Sequence, residues 1–187
     1  MAINWTHAKA RVDVIVPLVT MIGLFAAGFY TLFEYRAQQN EKRIATAMSY
    51  VARFSTPPLS EHRASLANAW ATRRERIRAV LINKDGLSDA EVNRTYSEVV
   101  VEMVNDAALG PAIREELLFF EQVSQCVELE LCDNMVTRSM LEGHSREFLD
   151  QYYPYMCALR KQWNDKTTGA ALQRFVRAGA GKDICAP

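Results

Sequence analysis

Apolar positions along this chain recur every three to four residues, and no segment alternates convincingly with period two, so the pattern predicts helices throughout. Between Arg36 and Phe54, the spacing puts Ile44, Met48, Val51 and Ala52 on one face. "STPPLS" ends that helix, because a proline pair and the residue before it disfavour the helical conformation. Ser60 then caps a second helix with Leu66, Trp70, Ile77 and Leu81 inward, closing at the "NKDG" turn. Ser88 and Glu91 have capping-box spacing and precede the cleanest apolar stripe: Val92, Tyr96, Val99, Val100, Met103, Val104 and Ala107. Gly110-Pro111 separates it from a fourth helix, Pro suiting the first turn, with Ile113, Leu117, Phe120, Val123 and Val127 buried. Asp133 caps a fifth, carrying Val136, Met140, Leu141, Phe148 and Leu149. Pro154 kinks or restarts it before Tyr155, Met156, Leu159 and Trp163, and a short helix near Ala170 to Ala178 closes the fold.

Ahead of these lies "VDVIVPLVTMIGLFAAGFYTLF", Val12 to Phe33, whose only charge is Asp13. Twenty-two helical residues span roughly 33 Å, close to the ~30 Å hydrocarbon thickness of a bilayer. A core helix would show a polar face, and none is present. Trp5, Tyr30 and Tyr35 flank the run where amphipathic rings favour headgroups. Lys9, Arg11 and Ala26-Ala27-Gly28 have the outline of a cleaved export signal, but the run continues through "FYTLF", beyond a usual signal core. The pattern therefore predicts a flank at 1–11, a transmembrane helix at 12–33, a helical domain with a stalk at 34–178 and a flexible tail at 179–187. The expected fold class is all-α, an N-terminal transmembrane helix continuing into an antiparallel helical bundle or hairpin stack.

The segment "ELLFFEQVSQCVELELCDNMVTRSMLEGHSREFLDQYYPYM", Glu116 to Met156, resembles a family of small bacterial membrane proteins of uncharacterised function. The shared feature is a helix with paired aromatics and an acid (Phe119-Phe120-Glu121), a short turn, then a helix ending in an aromatic and proline cluster. The resemblance implies a single membrane helix followed by a helical soluble domain, and no activity.

Chemistry-bearing patterns are sparse. His7, His62 and His144 form neither H-E-x-x-H nor Glu-x-x-His, so zincin and di-iron sites lack ligands. Glu142 and His144 stand at i and i+2, on different faces of a helix. "GAGKD" lacks the first Gly and the Ser/Thr of a phosphate loop. Glu115-Glu116 reads as a solvated helix face, since neighbours point about 100° apart. The expectation is no catalytic residue, no metal site, no cofactor and no enzyme. Of the four cysteines (Cys126, Cys132, Cys157, Cys185), none forms Cys-x-x-Cys. Cys126 and Cys132 could bridge the turn between two helices, or all four could be free thiols packed as small hydrophobes, depending on the compartment.

Charge is balanced overall but uneven. Arg36 to Lys84 holds ten Lys/Arg against three acids, and Glu98 to Asp150 three Arg against twelve acids. "RRERIR" carries Arg73, Arg74, Arg76 and Arg78. If the second helix folds back along the stalk, these face lipid headgroups, at about 1 kcal/mol each near an anionic leaflet. The acids would then turn away from that leaflet and offer a docking face to a basic partner. With zero net charge and no nucleic-acid motif, no nucleic-acid partner is expected. Lys9 and Arg11 precede the span, while Arg36, Lys42, Arg43 and Arg53 follow it. That excess places the C-terminal domain in the cytoplasm of a bacterial inner membrane, with reduced thiols. Thr20, Gly23, Ala27 and Thr31 form a small-residue stripe along the span, suited to close helix packing. The leading expectation is thus an accessory subunit docked by its membrane helix on a larger membrane complex or on itself. The alternative is a periplasmic, disulfide-held sensor or adaptor.

Overall fold

The structure is a computed structural model that describes the backbone of residues 5–82, 88–177 and 185, and side chains of 21–79, 88–177 and 185. Among the described residues it is entirely helical: α1 (Trp5–Phe54), α2 (Leu59–Ile82), α3 (Asp89–Asp106), α4 (Gly110–Glu128), α5 (Asn134–Trp163) and α6 (Ala170–Val176). The chain divides into two compact units, Met1–Lys42 and Arg43–Pro187.

In the first unit, the backbone of the expected span is helical, and the side chains of 12–20, Thr20 included, lie outside the described residues. From Met21 onward, Ile22, Leu24, Phe25, Phe29, Leu32 and Phe33 are all exposed. A Cβ added at Gly23 would meet nothing within 4 Å, and Thr31 Oγ1 donates back to Ala27 O at 2.8 Å. Among the described residues, no helix is long and apolar enough to cross a membrane.

The second unit is built around α4 and α5. Ser88 Oγ accepts from Glu91 N–H while the Glu91 carboxylate accepts from Ser88 N–H, the complete capping box the spacing predicts. Val99, Val100, Met103 and Val104 of α3 are buried, as are Ile113, Leu117, Phe119, Phe120 and Val123 of α4. Pro111 sits in the first turn of α4, where its missing N–H leaves no bond unmade. The carboxylate of Asp133 accepts from Val136 N–H at 2.8 Å, capping α5. That helix runs through Pro154 to Trp163 without restarting and ends at Asn164 in the left-handed conformation. Gly169, with φ of 75°, turns the chain into α6. A Cβ there would approach Met156 Sδ at 3.3 Å, so conformation and space both require glycine.

Several expected positions move. On α1 the buried face is Ala47 and Phe54, with Tyr50 and Val51 half-buried, while Ile44, Met48 and Ala52 are exposed. The small Ala47 packs with Cys126 and Cys132, and that close approach rotates the helix away from the larger side chains. Met140 and Trp163 of α5 are half exposed rather than inward. α2 begins at Leu59, so Ser60 lies inside it rather than capping it. The Leu81 side chain and the "NKDG" turn lie outside the described residues.

All four cysteines are paired, Cys126 with Cys132 and Cys157 with Cys185. The first closes the α4–α5 turn at a separation of 6 residues. The second fastens Cys185, which the sequence assigned to a flexible tail, to α5. Free thiols, the expectation tied to a cytoplasmic domain, are absent among the described residues.

The core position and the cap differ in expected weight. Leu149→Ala, at a fully buried site, should destabilise the purified full chain by about 2–5 kcal/mol. Ser88→Ala should remove about 1 kcal/mol. Urea unfolding followed by circular dichroism measures both; equal losses would show that α5 is not the packing centre described here.

Candidate functional site

An aromatic seam organises the middle of the second unit. Phe54 of α1 stacks on Phe119 of α4, ring centroids 5.4 Å apart, and contacts Phe120 at 5.6 Å. Phe120 meets Phe148 of α5 at 5.4 Å, and Phe148 meets Tyr152 at 5.3 Å. Trp70 of α2 stands edge-on to Tyr152 at 6.0 Å. Beside this seam lies a cavity of about 430 Å³, edged by Leu66, Ala67 and Ala71 of α2 and by Phe54, Phe148 and Tyr152. Its size falls within the ~300–1,000 Å³ usual for small-molecule sites.

The polar lining is unusual for a core. Glu116 is 4% exposed and Tyr152 1%. Glu116 Oε2 and Arg63 Nε are buried without a hydrogen-bond partner, while the Trp70 indole is the hydrogen-bonding neighbour of the buried Tyr152 hydroxyl. Arg63 is held in place by its other contacts: its guanidinium lies 3.8 Å from the Phe54 ring centre, and Nη2 donates to Phe54 O at 2.8 Å. Arg74, His144, Glu147 and Gln151 complete the lining. Buried polar groups are ordinarily satisfied, so the open atoms of Glu116 and Arg63 mark the place where this fold departs from pure packing.

Burial raises the Glu116 carboxyl from its ordinary value near 4.5 to about 7, because a charge in a low-dielectric surrounding is disfavoured. The Arg63 cation pulls it down and the Glu147 carboxylate pushes it up, both more weakly than burial. Tyr152 is likewise raised, chiefly by burial. A second cavity, about 320 Å³, lies against Leu117, Leu118, Glu121, Leu159 and Trp163. Both carboxylates on it are satisfied: Glu121 accepts from Gly169 N–H at 2.6 Å and Asp165 from Thr167 N–H at 2.8 Å.

The Glu116 cavity was not anticipated from the sequence, where Glu115-Glu116 read as a solvated face. Glu115 is indeed exposed, but Glu116 is buried. The available signal was its register: Glu116 stands three residues after Ile113 and four before Phe120, inside the buried stripe. His144 is exposed, tilted against Phe54 at 5.1 Å. The His7 side chain and "GAGKD" lie outside the described residues. Among the described residues, no three His, Cys, Asp or Glu are grouped to hold a metal ion.

The arginine run is more engaged than expected. Arg73 pairs with Asp106 at 2.9 Å, and Arg76 pairs with Glu102 at 2.7 Å. Arg74 lines the cavity and Arg78 is exposed. Glu102 and Asp106 of the acidic segment therefore pair with arginines of α2. Other acids of that segment pair too: Glu128 with Arg174, Glu130 with Arg43, and Glu142 with Arg138 and Arg146. Exposed pairs of this kind contribute only ~0–1 kcal/mol each.

The chain belongs to the family described as "Domain of unknown function (DUF4760)", which it matches over residues 17–178. No curated protein and no solved structure gives a significant match.

The buried carboxyl makes stability depend on pH in a definite sense. Folded Glu116 keeps its proton to about pH 7, whereas the unfolded chain releases it near 4.5. Between those values the folded state binds more protons, so the stability contributed by Glu116 is fully present below 4.5 and is lost as pH rises to about 7. At ~1.4 kcal/mol per tenfold the Glu116 contribution to that decline is roughly 3 kcal/mol. Glu116→Gln should flatten the curve of unfolding free energy against pH across this window. An unaltered slope would show that the carboxyl is solvated.

Proposed function

We propose that this member of the family is a single-pass, membrane-anchored sensor or adaptor. Its helical domain stands on the oxidising, extracytoplasmic side of the membrane and reads a small molecule in the Glu116 cavity. The observation that carries the reading is the pairing of all four cysteines, since disulfides persist in oxidising compartments and are rare in the cytoplasm. The flanking charges oppose it only weakly. Arg43 and Arg53 lie ten and twenty residues beyond Phe33. With Arg36 and Lys42 they outnumber Lys9 and Arg11 by four to two within twenty residues of the span, a small excess toward the cytoplasmic side. Support for the anchor comes from the composition of Val12 to Phe33 and from the run of exposed apolar side chains between Met21 and Phe33. Unburied side chains of that kind need an apolar surrounding.

A second reading, an accessory subunit docked through the membrane helix, is favoured by one observation. Gly23 has open space around it, and Ala27 and Thr31 are exposed beside it. Small residues at this spacing let a second helix approach closely. Replacing both Gly23 and Ala27 by Leu should then abolish recovery of a co-purifying membrane protein, and unchanged recovery would dismiss this reading.

For the first reading, cells are lysed in a thiol-alkylating reagent and the protein is denatured without reductant. All four cysteines should escape modification, and all four should react after reduction. A reporter active only outside the cytoplasm, fused after Pro187, should be active. Four alkylated cysteines together with a silent reporter would exclude the extracytoplasmic placement.

A further inference from the structure

The walls of the Glu116 cavity leave little polar surface to an occupant. Glu116 Oε2 and Arg63 Nε are unbonded but buried, so they present no surface to the space beside them. The Trp70 indole and the Tyr152 hydroxyl are hydrogen-bonding neighbours of each other. The Arg63 guanidinium is taken up by the ring and the carbonyl of Phe54. Glu147, at the rim, accepts from Gln151 Nε2 at 3.1 Å. Charge on the exposed rim is divided by wall, with Arg74 on α2 and Glu147 on α5. Opposite charges on facing walls give neither an anion nor a cation a field of one sign.

Apolar surface is what remains. Ala67 and Ala71 of α2 are exposed, Trp70 between them is half-buried, and Phe54, Leu66 and Phe148 lie beneath. α2 packs on α3 and α4, while α5 packs on α3, α4 and α6. Across the cavity α2 and α5 meet at the edge-on rings of Trp70 and Tyr152. The two alanines carry nothing beyond Cβ that could close the rest. The space is about 430 Å³, roughly three times the ~150 Å³ apolar cavity that takes up one benzene. A fused bicyclic or tricyclic ring system has that bulk. Rings of fixed orientation in the walls favour a flat, rigid occupant, since neither side then loses much freedom on contact.

We propose that the cavity between α2, α4 and α5 binds an uncharged molecule of fused aromatic rings, held by apolar contact with Trp70, Ala67 and Ala71. The inference rests on the reading of this cavity as the sensing site and assigns its ligand class. A carboxylate or ammonium group on the ligand would have to leave water without gaining a partner, which weakens binding. Shape is then the selecting feature, and a larger side chain growing into the space from α2 competes directly with the ligand.

For the test, the purified full chain in detergent is labelled with 5-fluorotryptophan, and its fluorine resonances are assigned by Trp70→Phe and Trp163→Phe. Indole is the neutral probe, with indole-3-acetate and tryptamine as its anionic and cationic counterparts, each titrated near neutral pH. Indole should shift the Trp70 resonance saturably and leave that of Trp163 in place. The charged counterparts should bind roughly tenfold more weakly or worse. Ala71→Phe fills the space from an exposed position and should weaken indole by a similar factor, its far-ultraviolet spectrum unchanged. Ala67→Leu serves the same purpose if that variant does not fold. Tighter binding of either charged counterpart would overturn the neutral assignment and leave the sensing reading standing. Shifts that only rise linearly, and equally at Trp70 and Trp163, would mean partition into detergent and overturn the assignment. A saturable Trp70 shift that survives in the filled variants would place the binding outside the cavity, and the sensing reading would fall with the assignment.

Discussion

The fold depends on one constraint: rigid aromatic rings from four helices must pack against each other in the middle of the second unit. Phe54, Phe119, Phe120, Phe148, Tyr152 and Trp70 form a connected series with centroid distances between 5.3 and 6.0 Å. Each such pair adds about 0.5–1.5 kcal/mol beyond the area it buries. The series also fixes where α1 ends, since Phe54 is the last residue of that helix and already part of the seam. Flat rings do not fill every space between helices, and the small side chains of Ala67 and Ala71 on α2 leave room beside them. The cavity is thus a consequence of the packing that holds the unit together.

Charge follows two regimes around that seam. On the surface, arginines and carboxylates pair between helices, α2 with α3 through Arg73–Asp106 and Arg76–Glu102, and α4 with α6 through Arg174–Glu128. Such pairs fix register more than they stabilise. Inside, Glu116 faces the opposite balance, because desolvation outweighs the attraction of Arg63. A leucine of similar reach would pack there without that penalty. Glu116 is thus a buried carboxyl that breaks the local consistency of the packing around it.

What the sequence made legible follows from which interactions are local. Caps and turns at Ser88, Pro111 and Asp133 were readable because their signals lie within a few residues. The apolar stripes of α3 and α4 were readable because each buries one broad face. The face of α1 was misjudged because its burial is set by Ala47 against Cys126 and Cys132, a long-range contact that favours a small residue where periodicity favours large ones. Met140 was misplaced for a related reason: the buried stripe of α5 runs through Thr137, Leu141 and Ser145, and the hydroxyls of Thr137 and Ser145 satisfy themselves on carbonyls one turn back. Glu116 was the most informative miss. Its identity argued for solvent and its register for the core, and composition alone gives no means of weighing the two.

The placement of the disulfides bears on how an occupied cavity would be read out. Cys126–Cys132 ties α4 to the start of α5 beside Ala47, and Cys157–Cys185 ties the far part of α5 to the chain end. Two walls of the cavity, α4 and α5, are therefore the covalently braced ones. The third wall, α2, carries Arg63, Trp70 and Arg74 but no cysteine. Among its described residues it buries only Leu59, Leu66 and Ile77 fully, so its packing is the least costly of the three to disturb. An occupant of the cavity would therefore displace the loosest wall before the fixed ones. Arg63 is also the residue that stacks on Phe54 and bonds its carbonyl. Any shift of α2 would therefore be felt first at the last turn of α1, through a contact that is already made.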